Sequence, residues 1–172
     1  GYLAISGVPH NLTYGDHVPR KGALVAQNLR ELLGNDAFKS LMTGFLQAHA
    51  FNAMTSLDLQ DYITNNSTID ATDFFNSWVF HGGFPDYSIR AMSFEPNGNN
   101  YEVTLQLLQK QNHAPHAFGQ TPLALTFYGE NFEQSSHVVL ADSGFTQATF
   151  TVPFVPVFVN LNPNNKLMCA CT

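Results

Sequence analysis

Residues 73–87 read DFFNSWVFHGGFPDY, and they mark the point at which the chain changes from helical to strand-like sequence. Phe74 and Trp78 stand four positions apart, a spacing that places both side chains on one face of an α-helix. The two glycines and the proline that follow end this helical run, because neither residue type favours a helix interior. We therefore predict an α+β fold with a boundary near residue 86, a helical part over residues 1–86 and a β-sandwich over residues 87–172.

The helical part is predicted to contain about four helices. Its apolar residues recur three or four positions apart, and the runs are bounded by residues that cap or end helices. The first helix ends at Gly34, and the predicted N-caps of the other three are Asn35 or Asp36, Thr55 or Ser56, and Asp70. The four apolar faces are expected to be Leu24, Val25, Leu29, Leu32 and Leu33; Ala37, Phe38, Leu41, Met42, Phe45 and Leu46; Leu57, Leu59, Tyr62 and Ile63; and Phe74, Phe75, Trp78 and Val79.

The second part is predicted to contain about seven short strands. Apolar residues there alternate or cluster in short runs that are separated by turn residues, as in a β-sandwich. Pro153 and Pro156 interrupt one apolar run, which favours an edge or a bend at that point because proline lacks the N–H that a strand donates. The expected strands are 87–95, 101–109, 121–128, 136–141, 145–152, 154–160 and 166–171.

Composition and charge exclude several classes of function. The 172 residues are 44% hydrophobic, which suits a folded core, and only 12% are charged. The formal net charge is −6 with no basic run, so nucleic acid is not expected as a partner. No apolar run approaches the roughly 18 residues of a transmembrane helix, so we expect no membrane span. The low charged fraction is common in exported proteins and slightly favours a periplasmic or extracellular location, which otherwise stays unknown.

The usual hydrolase motifs are missing from the sequence. No histidine is followed by glutamate, so the H-E-x-x-H motif of zinc peptidases does not occur, and no serine stands in a G-x-S-x-G motif. His113 and His116 could chelate a metal from a turn, but no carboxylate lies near them in the sequence, and we expect a solvated loop. The residues themselves therefore predict no catalytic residue, no metal ligand and no cofactor-binding residue in this chain.

Two acidic pairs and one aromatic cluster could in principle support other chemistry. Asp58/Asp61 and Asp70/Asp73 could be imagined as glycosidase carboxylates, but each pair falls in the first turn of a predicted helix, where acids favour the positive dipole end. Trp78 with its neighbouring phenylalanines could stack on a sugar or a peptide, but the spacing is that of a core stripe. We expect capping for the acids and core packing for the aromatics.

The two cysteines, Cys169 and Cys171, form a C-A-C sequence near residue 172. They are too close together for easy disulfide geometry with each other, and a metal or redox site would need more ligands than this pair offers. An edge strand of small residues explains the sequence, so we treat both as thiols of undefined role.

A series of short motifs in the helical part resembles the M1 (gluzincin) zinc aminopeptidases. The motifs are Lys21-Gly22-Ala23-Leu24-Val25, Asn28-Leu29-Arg30, Leu32-Leu33-Gly34, Asp36-Ala37-Phe38, His49-Ala50-Phe51, Asp73-Phe74-Phe75 with Trp78, and Gly83-Phe84-Pro85. They occur in the family's order over about residues 19–86, and in that family they belong to the thermolysin-like domain, after the zinc site. The family continues with an immunoglobulin-like β-sandwich, so the resemblance implies that fold for residues 87–172.

The resemblance also implies where this chain departs from the family. The family's zinc ligands and catalytic glutamate precede this segment, and residues 1–20 supply none of them. The family places a tyrosine, whose hydroxyl stabilises the oxyanion, two residues before the K-G motif, and Pro19 stands there in this chain. Proline has no donor, so the parent enzyme is weakened or inactive unless another group, such as Tyr14, substitutes.

Two hypotheses for function follow from the resemblance. In the first, the chain is a non-catalytic C-terminal portion of an M1-like zinc metallo-aminopeptidase and walls the cleft of the parent enzyme, whose partners would be the upstream part of the same polypeptide and a peptide substrate. Zinc is expected in the parent and not in this chain, which we expect to be inactive alone. In the alternative, peptidase function is lost and the β-sandwich binds a protein or glycan partner, a role that Pro19 favours.

Overall fold

The computed structural model describes residues 2–172 and confirms the α+β class. Helices occupy the first half of the described chain and strands occupy the second half. The helices are α1 (His10–Thr13), α2 (His17–Leu33), α3 (Asn35–Ala48), α4 (Ser56–Asn66) and α5 (Thr72–Phe75), the last continued by a π-helical turn over Asn76–Phe80. The short helix α1 was not predicted. No helix within residues 2–172 is long and apolar enough to cross a bilayer.

The helix ends follow local side-chain chemistry, and the predicted N-cap of α3 is corrected. Gly34 lies between α2 and α3 at φ 81°, a left-handed conformation that glycine adopts without strain. The prediction of Asn35 or Asp36 as the N-cap of α3 was wrong, because the helix already begins at Asn35. The Oδ1 of Asn35 instead accepts a 2.6 Å hydrogen bond from Arg30 Nε. Thr55 caps α4 in a reciprocal capping box with Asp58, as predicted.

The predicted helix faces pack into one apolar cluster. The aromatic face of 73–80 is buried as expected, and Trp78 is only 1% exposed. Leu24, Ala37, Leu46 and Leu57 are exceptions, since their side chains remain exposed. The buried members of this cluster, called the helical cluster below, are Val25, Leu29, Ile63, Ala71, Phe74, Phe75, Trp78, Val79 and Phe118.

Seven strands form two sheets in the second half. They are β1 (Phe84–Asn97), β2 (Asn100–Asn112), β3 (Thr121–Tyr128), β4 (Gln134–Ala141), β5 (Phe145–Val152), β6 (Phe158–Leu161) and β7 (Ala170–Cys171). One sheet has the order β5-β2-β1-β7 and the other the order β4-β3-β6. A second apolar cluster, the sheet cluster, draws buried residues from both sheets, among them Val103, Leu105, Leu123, Leu125 and Phe127.

Only β3 and β5 have the predicted bounds; β2 ends at Asn112, three residues after its predicted end, and β4 begins at Gln134, two residues before its predicted start. Strand β1 begins at Phe84, three residues before the predicted start. Strand β6 covers Phe158–Leu161 in place of 154–160, because Pro153 and Pro156 keep the preceding residues out of the ladder. Strand β7 has only two residues, and it pairs with β1 in parallel at the edge of the four-stranded sheet.

Gln109 connects the two apolar clusters. Its side chain is 8% exposed and holds both backbone groups of Phe118, with Oε1 accepting from the Phe118 N–H at 2.7 Å and Nε2 donating to the Phe118 carbonyl at 2.7 Å. Nε2 also lies 3.2 Å from the hydroxyl of Tyr87, whose pKa is raised by burial. Phe118 packs against Trp78 at a ring-centroid distance of 4.5 Å, so Gln109 links β2 through Phe118 to the helical cluster.

The domain boundary near residue 86 stays a prediction.

The segment before α1 is held to the rest of the fold by a buried lysine. Lys21 is 3% exposed, and its Nζ donates to the carbonyl oxygens of Leu3 at 2.7 Å and His81 at 3.3 Å. Burial lowers the pKa of Lys21. The amides of Ile5 and Ser6 donate to the Val79 carbonyl at 3.0 and 3.1 Å. The lysine of the K-G-A motif is therefore a structural residue that anchors residues 3–6 beside the end of the π-helical turn.

We predict that Gln109→Leu destabilises the chain by about 3 kcal/mol, because it leaves both Phe118 backbone groups buried without a partner. Gln106→Leu is the matched control on the same strand, since Gln106 bonds only the surface side chain of Gln147 at 3.0 Å, and it should cost less than about 1 kcal/mol. Urea denaturation of both variants measures the difference. Equal losses would contradict the role given to Gln109.

We also predict that Lys21→Met lowers the free energy of unfolding by about 2 kcal/mol, since it removes a charged donor from buried carbonyls. Hydrogen exchange at Ile5 and Ser6 should accelerate in this variant, because the anchored segment loosens. Arg20→Met is the control: Arg20 pairs only with Asp16 on the surface, at 3.0 Å, and its loss should change stability by less than about 0.5 kcal/mol. Unchanged exchange in Lys21→Met would show that the segment is held by other contacts.

Candidate functional site

The two residues singled out at the family's oxyanion position lie near the start of α2. Pro19 is exposed in the first turn of α2, where proline fits because the N–H groups there have no partner within the helix. Tyr14 follows α1, is 90% exposed, and contacts the ring of His10 at a centroid distance of 6.2 Å. Neither side chain is enclosed by other described residues, and their catalytic roles stay predictions.

A polar groove of about 470 Å³ lies where the helices meet the sheets. The helical wall comes from α5, the π-helical turn and His81. The opposite wall comes from the connection between β2 and β3 and from the turn between β4 and β5. The lining residues are Asp73, Asn76, Ser77, His81, His116, Ala117, Gly119, Asp142 and Ser143.

Two histidines from different halves of the chain meet in this groove. The rings of His81 and His116 lie edge to face with centroids 5.0 Å apart, and both residues are exposed. The Nδ1 of His81 is 2.7 Å from the Asn76 carbonyl oxygen, so this nitrogen carries the proton and donates.

The fold separates the two histidines of the 113–116 segment. His113 contacts the ring of Tyr2 edge to face at a centroid distance of 4.3 Å, whereas His116 contacts His81. A Cβ on Gly83, which has φ 92°, would overlap the backbone of residues 112–114, so glycine is required where this loop crosses the start of β1. The rings of His113 and His116 therefore contact different partners.

The acidic residues act mainly at helix ends. Hydrogen bonds from Thr55 lower the pKa of Asp58, and hydrogen bonds from Thr72 lower the pKa of Asp70. Asp73 instead lines the polar groove. Capping is thus confirmed for Asp58, and Trp78 is confirmed as a core residue. The prediction of Asp70 as the N-cap of the last helix was wrong, because the N-cap of α5 is Ala71, although Asp70 Oδ1 accepts a 2.9 Å hydrogen bond from the Thr72 N–H.

The two cysteines lie side by side at the edge strand β7. Both are free thiols, and their Sγ atoms are 3.7 Å apart. Cys169 is half-buried and its Sγ lies 3.4 Å from the Nδ2 of Asn162, while Cys171 is exposed. The predicted edge strand is confirmed.

Groups of three or more metal ligands do not occur in the described chain. Within residues 2–172, no three histidine, cysteine, aspartate or glutamate side chains are placed to hold one ion. The polar groove brings together two imidazoles and two carboxylates, but its arrangement suits hydrogen bonding to a polar ligand.

The His81–His116 pair and the buried Lys21 were missed by sequence reasoning. The two histidines stand 35 positions apart, and no local spacing signals a contact between them. The glycine pair after His81 was the available signal for a contact here, because glycines often occur where two backbone segments approach closely. Lys21 belongs to a quoted motif, but nothing in the sequence indicates that its side chain is buried.

Comparisons with known proteins show that the chain is similar to one part of larger aminopeptidases. The chain is 25% identical over 161 residues to aminopeptidase N of Escherichia coli (strain K12), a match that covers 88% of this chain and 18% of the relative. Its fold is similar to that in a crystal structure of Legionella pneumophila aminopeptidase A in complex with aspartic acid, with a TM-score of 0.75 and 15% identity over 92% of this chain and 18% of that one. No family model matches the sequence. The chain therefore spans less than a fifth of the relatives' length and resembles one part of an aminopeptidase, in agreement with the resemblance drawn from its motifs.

Proposed function

We propose that this chain is a non-catalytic C-terminal portion of an M1-like zinc aminopeptidase and forms a wall of its peptide cleft. The observation that carries the proposal is the match to aminopeptidase N over 88% of this chain, together with the ordered family motifs in α2 to β1. Along the chain, the helical cluster comes first and the sheet cluster second, which agrees with the order of domains in that family.

The zinc ion of such an enzyme would be held outside this segment. The described residues do not fit a zinc site, because no three ligands converge among them. The chain's own contribution would be structural: α2 and α5 form a packed layer, and Lys21 and Gln109 hold the surrounding segments to it. Hydrolysis would depend on residues supplied by the rest of the polypeptide.

Exposed apolar side chains on the helical half support a place within a larger body. Leu24, Leu46, Phe51 and Leu57 all project from the surface of the described chain. Single exposed apolar residues are ordinary, but several on neighbouring helices are typical of a surface that contacts other protein. In the parent enzyme these side chains would pack against preceding segments.

A second candidate role is a binding module that has lost peptidase activity, and Pro19 is the observation that favours it. A proline in the first turn of α2 cannot donate a hydrogen bond to an oxyanion. In this case the β-sandwich would bind a protein or a glycan. Retained peptidase activity in the full-length protein would argue against it.

We predict that the isolated chain hydrolyses no aminoacyl 4-nitroanilide, with or without added zinc. The full-length protein, assayed in parallel, should release nitroaniline and lose this activity on treatment with a chelator. Turnover by the isolated chain that scales with bound zinc would contradict the proposal. Absence of activity in both samples would favour the binding module.

We further predict that Pro19→Tyr in the full-length protein raises kcat about 100-fold with KM nearly unchanged, because a single oxyanion donor typically contributes that much. Pro19→Phe is the matched control, since it supplies the ring without the hydroxyl and should leave kcat near its starting value. Equal effects of both substitutions would show that the hydroxyl is not used at this position.

A further inference from the structure

We propose that Cys169 and Cys171 form a two-thiolate site for a soft monovalent metal ion of the Cu⁺ type. The proposal does not depend on the peptidase role, and it concerns an edge of the β-sandwich that lies apart from the polar groove.

The geometry of the pair is that of a bidentate ligand. Cys169 directly precedes β7 and Cys171 is its last residue, and the two Sγ atoms lie 3.7 Å apart. Thiolates at this separation can bind one ion after a small rotation of a side chain. Cys171 is exposed on β7 and is free to make this rotation, while Cys169 is half-buried and fixed.

A buried asparagine holds Cys169 in place. Asn162 is 5% exposed, and its Oδ1 accepts from the Leu167 N–H at 3.2 Å while its Nδ2 donates to the Leu167 carbonyl at 3.1 Å. The same Nδ2 lies 3.4 Å from the Sγ of Cys169. Asn162 therefore organises the loop that leads into β7 and donates a hydrogen bond to the sulfur, an interaction that favours a thiolate.

Both cysteines bind a metal ion as thiolates, so binding releases thiol protons and the affinity falls as the pH is lowered.

The number and type of ligands select the ion. Thiolates are soft ligands, which favour Cu⁺ over the hard cations Mg²⁺ and Ca²⁺. Structural Zn²⁺ sites are four-coordinate, and no third ligand of the histidine, cysteine or carboxylate type converges here within residues 2–172. A monovalent ion that accepts two sulfurs is therefore the ligand that this pair fits.

The test is an anaerobic titration of the reduced chain with Cu⁺, in competition with a chromogenic Cu⁺ chelator. We expect one ion per chain, with an ultraviolet thiolate-to-copper charge-transfer band, and at least tenfold weaker binding of Zn²⁺. Cys169→Ser and Cys171→Ser should each lower the affinity at least 100-fold and abolish the band. Circular dichroism melts of both variants establish that they remain folded.

The paired histidines of the polar groove provide the matched control. The double variant His81→Ala/His116→Ala should bind Cu⁺ as the parent chain does and keep the charge-transfer band. Alkylation of the exposed Cys171 with iodoacetamide should block binding without any substitution. Binding that survives in both serine variants, binding that is lost with the histidines, or no Cu⁺ binding by the parent chain would each overturn the proposal.

Discussion

The amide of Gln109 is the contact on which the two halves of this fold depend. It satisfies both backbone groups of Phe118, and Phe118 in turn packs against Trp78. Without it, the loop between β2 and β3 would leave the helical cluster, and the polar groove would lose the wall that carries His116. Because a buried amide has no water to replace a lost partner, this side chain couples sheet packing to helix packing, and the Met168 N–H, which donates to Asn28 Oδ1 at 3.2 Å, adds a second link.

Much of the fold could be predicted from the sequence because its signals are local. The apolar spacing of α2 to α5, the stop at Gly34 and the capping box at Thr55 each depend on a few neighbouring residues. The N-cap of α3 was wrong because Gly34 ends one helix and directly precedes the next, which leaves no place for an asparagine cap. The length of β6 was wrong because two prolines outweighed the apolar run.

The polar groove could not be predicted, because its residues come from three segments that are distant in sequence. His81 follows a helix, His116 lies in a loop between strands, and Asp142 stands in a turn. The burial of Lys21 could not be predicted either, since its partners are backbone carbonyls distant in sequence. The cysteines are an intermediate case: the pattern indicated an edge strand, but only the structure shows that both sulfurs point the same way.

In the proposed function, the zinc ligands and the general base lie on the N-terminal side of this segment in a longer polypeptide. The most direct test is to determine the sequence of the full-length polypeptide on the N-terminal side of residue 1. The account predicts an H-E-x-x-H motif followed by a further glutamate, which together would supply the zinc ligands and the general base. A preceding sequence in which that motif is absent or interrupted would contradict the peptidase assignment.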